Sequence, residues 1–249
     1  MLMRRHFLAE YPLIGTKHKP SPTHLQQRSP YYWWWAFLRR NSDYLECCEN
    51  GGNGRLAWLY ADFGDVRSDD FRTWWGGKTN RGAELFAEKR LDFVILKLEE
   101  PDDWIDELKT ENVLVVAFNK DLGRRHLQSR FAALLQKEVT SKRGRPVMGS
   151  GISTARYPLH RNSTVHNLKT MLAVYDAWYK NQQLPRSQQR AQWQLGNDIK
   201  LVQNAISKDK DIDATNKRAI MTAAFGRSLA TAKRIIANTA NGQFPNSSS

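Results

Sequence analysis

The chain has 249 residues, of which 41% are hydrophobic and 11% aromatic, so it is long and apolar enough to bury a core. This composition excludes a disordered tail. No stretch approaches the roughly 18 apolar residues of a membrane span, so we expect a cytoplasmic protein that does not bind the membrane. The formal net charge of +13 and the isoelectric point near 9.9 favour an anionic partner.

The charge is unevenly distributed along the chain. Residues 1 to 40 carry seven basic and one acidic side chain, residues 41 to 119 carry nine and 17, and residues 120 to 249 carry 22 and seven. The net charges of the three segments are therefore +6, −8 and +15. An acidic middle segment beside two basic segments indicates a localised anion-binding surface more strongly than an even distribution of basic residues would. A positive net charge can also serve solubility alone.

The first two predicted modules are a basic, irregular arm over residues 1 to 29 and an acidic, aromatic-rich helical module over residues 30 to 90. Ser29 and Pro30 are typical of a helix start, and apolar residues at helical spacing extend this helix to Asn50. Shorter apolar segments, each bounded by Gly or capping residues, predict further short helices in the same module.

A small β-α-β-α unit with a basic loop is predicted over residues 91 to 163. Two short apolar runs rich in Val, Ile, Leu and Phe have the composition of strands. In chain order the predicted elements are a strand over 91–98, a helix over 101–109, a strand over 113–118 and a helix over about 122–138. Leu127 and Phe131 lie on one face of the last helix and Arg130 on another, so one face is expected to pack and the other to meet phosphate.

The fourth module, residues 164 to 249, is predicted to be helical, which makes the whole chain α+β and predominantly helical. Its last helical region allows two interpretations. Gly226 could end one helix and start the second member of a helix-turn-helix. Alternatively, Met221 and Ile236 could belong to one apolar stripe that continues through this glycine at a cost of about 1 kcal/mol.

The candidate nucleic-acid-binding residues are basic side chains in segments almost free of acids. Arg and Lys neutralise phosphates and release condensed counterions, and a short flexible basic loop suits backbone contact. The candidates are Arg124, Arg125, Arg130, Lys137, Lys142, Arg143, Arg145, Arg227, Lys233 and Arg234.

Two other sets of residues have competing interpretations. The aromatic run over residues 31 to 35 could stack unpaired bases, but its helical spacing favours core packing first and a protein interface second. Asp62, Asp65, Asp69 and Asp70 could hold magnesium in a nuclease, although helix capping explains the last two.

The leading hypothesis is a non-catalytic nucleic-acid-binding protein with a regulatory or accessory role, which prefers double-stranded DNA to RNA. No phosphate-binding loop, serine-hydrolase or zinc-protease pattern occurs. Cys47 and Cys48 are adjacent, so their side chains diverge on a helix and cannot form a spaced metal clamp; buried thiols are the favoured interpretation. We expect neither a metal nor a cofactor. One alternative is an assembly or adaptor protein that binds other proteins, or a second copy of itself, through residues 30 to 90. The other is a metal-dependent nuclease, whose active site would include Asp92, Glu107 and Lys109.

Overall fold

A computed structural model describes residues 4–16, 18–77, 81–90, 114–117, 119, 121–138, 153, 155–160, 164–206 and 213–248. The chain divides into two compact units. The larger comprises residues 5–90 and 154–249, and the smaller comprises residues 1–4 and 91–153. The four-module division predicted from the sequence stays a prediction.

Helices dominate the described residues, as predicted. In chain order they are α1 (Thr23–Gln26), α2 (Pro30–Leu38), α3 (Ser42–Glu49), α4 (Ala57–Phe63), α5 (Phe71–Gly76), α6 (Arg81–Phe86), α7 (Arg124–Glu138), α8 (Val165–Gln182), α9 (Gln192–Asp198) and α10 (Ala214–Ala240). Two three-residue strands, β1 (Arg4–His6) and β2 (Glu88–Arg90), form a small sheet. None of the helices in the described residues has the length and apolar character needed to cross a membrane.

Helix α2 lies at the centre of the larger unit. The Ser29 hydroxyl accepts a hydrogen bond from the backbone N–H of Tyr31 at 3.3 Å, and Pro30 occupies the first turn, as the sequence predicts. Trp34 and Trp35 are 0% and 1% exposed, and apolar side chains point in every direction around the helix. A helix that is apolar all round must be buried on all sides, and α8 and α10 pack against it.

The helix predicted from Pro30 to Asn50 is two helices. Residues 39–41 form a turn, after which the Asn41 side chain accepts a hydrogen bond from the backbone N–H of Tyr44 at 2.9 Å and so begins α3. Apolar spacing continues across this turn because both helices face the same core, so periodicity alone could not detect the break.

Helices α8, α9 and α10 pack together in the second half of the larger unit. The Thr164 hydroxyl caps α8 by accepting a hydrogen bond from the backbone N–H of Asn167. Val174 of α8 packs with Phe225 and Leu229 of α10 in one cluster, whereas Leu168 shares the main core with the far end of α10. The two helices therefore run antiparallel, and α8 and α10 reach the same core as α2.

The predicted β-α-β-α unit is wrong. Residues 114–117, which belong to the second predicted strand, form no strand and are exposed. Strands among the described residues are limited to the two three-residue segments of the small sheet. The run over 91–98 and the helix over 101–109 lie outside the described residues, whereas the predicted helix over 122–138 is present as α7. A short apolar run has no intrinsic strand geometry, since a strand needs a neighbour to satisfy its backbone hydrogen bonds.

The helix-turn-helix interpretation is also wrong, because α10 runs without interruption through Gly226. Met221, Phe225 and Leu229 are buried on one stripe, which continues to Ile236. Burial of this continuous stripe against α8 and α9 outweighs the low helix propensity of one glycine.

Replacing Gly226 by alanine is expected to stabilise the protein by about 0.5 to 1 kcal/mol, because a helical glycine costs about that much relative to alanine. A Cβ atom at this position would have ordinary van der Waals contact, with Gln192 Oε1 at 3.8 Å as its nearest neighbour. Urea denaturation measures the change. Gly82→Ala is the control, because a Cβ there would lie 2.2 Å from the buried Trp75 ring and should destabilise. A loss of stability in Gly226→Ala would instead indicate a turn at this glycine.

Candidate nucleic-acid interface

Helix α10 is the most strongly cationic element that the structure describes. Its 27 residues include five basic side chains and no acidic one. The buried stripe fixes the rotation of the helix, so Arg227, Lys233 and Arg234 are exposed. Without acidic neighbours on the same helix, these cations raise the positive potential along its outer surface.

Arg227 and Arg234 share one face of α10, because they are seven residues apart. The separation along the helix axis is about 10 Å at 1.5 Å per residue. Ala223 and Ala230 lie on the same face and are exposed, so no large side chain stands between the two arginines. Among the residues that the structure describes, no carboxylate forms an ion pair with either arginine, and both guanidinium groups are available to an external anion.

Lys233 lies beside this face and contacts an aromatic ring. Its Nζ atom is 3.7 Å from the centroid of the Trp178 ring of α8, a cation–π geometry that restrains the side chain while its surface stays exposed.

The basic residues near the start of α10 have partners within the protein: Lys217 pairs with Asp213 at 3.0 Å, and Arg218 stacks on Trp193. The candidate surface is therefore confined to the C-terminal half of α10.

The other described candidates lie on α7 in the smaller unit. Arg124, Arg125, Arg130 and Lys137 are all exposed, and only Lys137 has an ion pair among the described residues, at 3.7 Å with the adjacent Glu138. No residue of the α7 face that was expected to pack is buried: Phe131 is exposed and Leu127 is partly exposed. Lys142, Arg143 and Arg145 of the predicted basic loop lie outside the described residues.

The larger unit brings Arg227, Lys233 and Arg234 together on α10. The four candidates of α7 share one helix but belong to the other unit. Each unit therefore carries its own set of exposed cations.

The four aspartates that could have held magnesium all have partners within the protein. Three of them contact side chains: Asp62 contacts Tyr157 and Arg156, Asp65 contacts Arg67, and Asp69 contacts Arg39. The fourth, Asp70, caps α5. The hydrogen bond from the Arg67 guanidinium lowers the pKa of Asp65. Across the described ranges, no group of three or more His, Cys, Asp or Glu side chains could hold a metal ion. Asp92, Glu107 and Lys109 lie outside those ranges. The nuclease hypothesis therefore gains no support from the described carboxylates.

The aromatic run over residues 31 to 35 is packed in the core, as its spacing favoured. Tyr31, Trp33, Trp34 and Trp35 are each less than 5% exposed and contact other rings, so they offer no free face to a base. An exposed aromatic residue lies elsewhere, at Tyr179 near the end of α8, where half of the side chain is in solvent. Sequence reasoning missed it because Tyr179 follows Tyr175 by four residues and Leu172 by seven, a spacing that places it on the apolar side of α8 and favours burial.

Comparison with protein-family models, with curated proteins and with solved structures finds no match to this chain.

Proposed function

We propose that the protein binds double-stranded DNA in the cytoplasm, in a regulatory or accessory, non-catalytic role. The observation that carries this proposal is a pair of exposed arginines, Arg227 and Arg234, on a helix without acidic residues. Within the described part of the chain, neither arginine forms an ion pair with a carboxylate. The exposed C-terminal half of such a helix attracts a polyanion, and each phosphate that it neutralises releases counterions.

The dimensions of α10 favour duplex DNA over duplex RNA. The helix is about 40 Å long at 1.5 Å per residue, and the major groove of B-DNA, about 12 Å wide, admits an α-helix. The separation of about 10 Å between Arg227 and Arg234 corresponds to about three base-pair steps of 3.4 Å. The deep, narrow major groove of A-form RNA would not admit this helix.

Fluorescence anisotropy with a duplex DNA of about 20 base pairs, titrated between about 50 and about 200 mM salt, tests the proposal. We expect binding that weakens linearly with the logarithm of the salt concentration. The double variant Arg227→Gln/Arg234→Gln should bind about tenfold more weakly and should lower the salt slope by about two, one for each lost phosphate contact.

The matched control is Arg28→Gln/Arg55→Gln, which removes the same charge from two exposed arginines that already pair with Glu10 and Asp43. It should leave the affinity close to that of the wild type. An equal loss in both double variants would show that binding depends on net charge and not on α10. No binding by the wild type at the lowest salt would reject the proposal.

A protein-binding role is the second candidate, favoured by the exposed apolar face of α7. Phe131 and Leu135 are 41% and 38% exposed, and large apolar side chains grouped on one helix face are typical of partner-binding surfaces. This differs from the adaptor role first expected for residues 30 to 90, whose aromatic side chains are largely buried. A wild type that ignores nucleic acid but self-associates in analytical ultracentrifugation would favour this candidate.

A further inference from the structure

Three aromatic side chains of α8 form a continuous row on the larger unit. Tyr175 and Tyr179 are one turn apart, with ring planes inclined by only 13° and centroids 6.1 Å apart. Tyr175 also contacts Trp178, with centroids 5.7 Å apart. The spacings i to i+4 and i to i+3 place side chains side by side on a helix, so the row follows directly from the sequence once the helix forms.

The inner members of this row are held in place by the protein. The hydroxyl of Tyr175 donates a hydrogen bond to the backbone carbonyl of Arg40 at 3.4 Å, and Trp178 packs against the cluster around Val174. Lys233 of α10 covers the Trp178 ring. The row therefore begins at a cation of the candidate interface and extends away from it across α8.

Tyr179, the outer member, is open to solvent. Its residue is 51% exposed, although one side of the ring lies against Tyr175. Its sequence neighbours Lys180, Gln182 and Gln183 are exposed and polar, and Leu184, which follows them, is 41% exposed, so the surface around the ring is mixed and not the broad apolar surface that a protein partner would bury. Asp176 is the one carboxylate of α8, and Arg40 neutralises it with a pair of hydrogen bonds at 2.8 and 3.1 Å.

We propose that Tyr179 is a stacking site for an unpaired base of a nucleic acid whose phosphates contact Lys180 and Lys233. A flat ring that is half exposed, with one exposed cation at the next position of α8 and another at the start of the aromatic row, offers both interactions that a single strand needs, because bases stack on aromatic side chains while Lys and Arg follow the backbone. This inference rests on the proposed function and narrows it: the preferred partner is duplex DNA that continues into a single-stranded segment.

Anisotropy with three DNAs tests this inference: a blunt duplex, the same duplex extended by about six unpaired thymidines, and the single strand alone. The wild type should bind the extended duplex at least about fivefold more tightly than the blunt duplex, which is the lower end of the effect of stacking one base. Tyr179→Ala should lose this gain and bind the blunt duplex normally, whereas Tyr179→Phe, which keeps the ring, should retain it.

A fluorescent base analogue, 2-aminopurine, at the first unpaired position gives a second readout. Stacking on Tyr179 should quench its emission in the wild type and in Tyr179→Phe but not in Tyr179→Ala. Trp58→Ala is the control for unspecific contacts, since Trp58 lies on α4 and is also 50% exposed. It should leave both the gain and the quenching unchanged. Circular dichroism confirms that each variant is folded.

The outcomes separate the two proposals. If the blunt duplex binds through Arg227 and Arg234 but the extension adds nothing, or if Tyr179→Ala keeps the gain, the stacking site is rejected and the duplex-binding function stands. If Tyr179→Phe also loses the gain, the ring is not what binds, and the stacking site is again rejected. If the wild type binds none of the three DNAs, both proposals fail together.

Discussion

Replacing Trp34 by alanine is expected to lower the free energy of unfolding by about 3 to 5 kcal/mol, the usual cost of removing a large core aromatic. Trp34 is 0% exposed, and its ring contacts Phe63, Phe86, Tyr157 and Phe244 with centroid distances between 5.1 and 5.9 Å. These neighbours come from segments far apart in the chain, so the cavity would loosen several elements at once. Guanidinium denaturation followed by circular dichroism measures the change.

Trp58→Ala is the control for Trp34→Ala, because it removes the same number of atoms from a side chain that is half exposed. We expect a loss below about 1 kcal/mol, since most of that ring is already in water. Similar losses in the two variants would contradict the central position of α2. The aromatic run would then have to serve a surface role, either in stacking bases or in binding a partner.

Replacing Asp62 by alanine is expected to cost about 2 kcal/mol, because it leaves the hydroxyl of the buried Tyr157 without its carboxylate partner. The Asp62 side chain is 8% exposed, accepts a hydrogen bond from the Tyr157 hydroxyl at 2.5 Å and pairs with Arg156 at 2.6 Å. Burial, together with the hydrogen bond to Asp62, raises the pKa of Tyr157, so this hydroxyl stays protonated and continues to donate. Thermal unfolding at neutral pH measures the effect.

Asp43→Ala is the comparison for this prediction. Asp43 also pairs with an arginine, Arg55, but both side chains are more than half exposed, and surface ion pairs contribute at most about 1 kcal/mol. We expect Asp43→Ala to unfold close to the wild type. If Asp62→Ala did the same, the segment over residues 155–160 would be held chiefly by its backbone hydrogen bonds, from Tyr157 to Leu85 and from His160 to Phe244.

The helices could be predicted from the sequence where local chemistry defines their ends. Ser29 with Pro30 and Thr164 mark helix starts, and Gly64, with φ of 62°, ends α4. The sequence gives no such signal for the end of α9 at Asp198, after which Lys200 adopts a positive φ of 53°. Nothing in the side chain of Lys200 favours that backbone conformation, which non-glycine residues rarely adopt.

The candidate interface was predictable only in part. The acid-free composition of α10 is visible in the sequence and led to Arg227, Lys233 and Arg234. Their exposure depends on the rotation of the helix, which the packing of Phe225 and Leu229 against α8 and α9 determines. Tyr179 could not be selected, because a tyrosine on a long amphipathic helix is as consistent with burial as with exposure.

Local sequence was enough to predict the helical character of the chain, the core position of the aromatic run and the acid-free composition of α10, because capping, apolar periodicity and charge content are local properties. Packing was needed to show that α10 continues through Gly226 as one helix, that residues 114–117 form no strand and that Tyr179 is exposed. Each of these outcomes depends on which neighbours cover a segment, and contacts between residues far apart in the chain are not encoded in any single stretch of it.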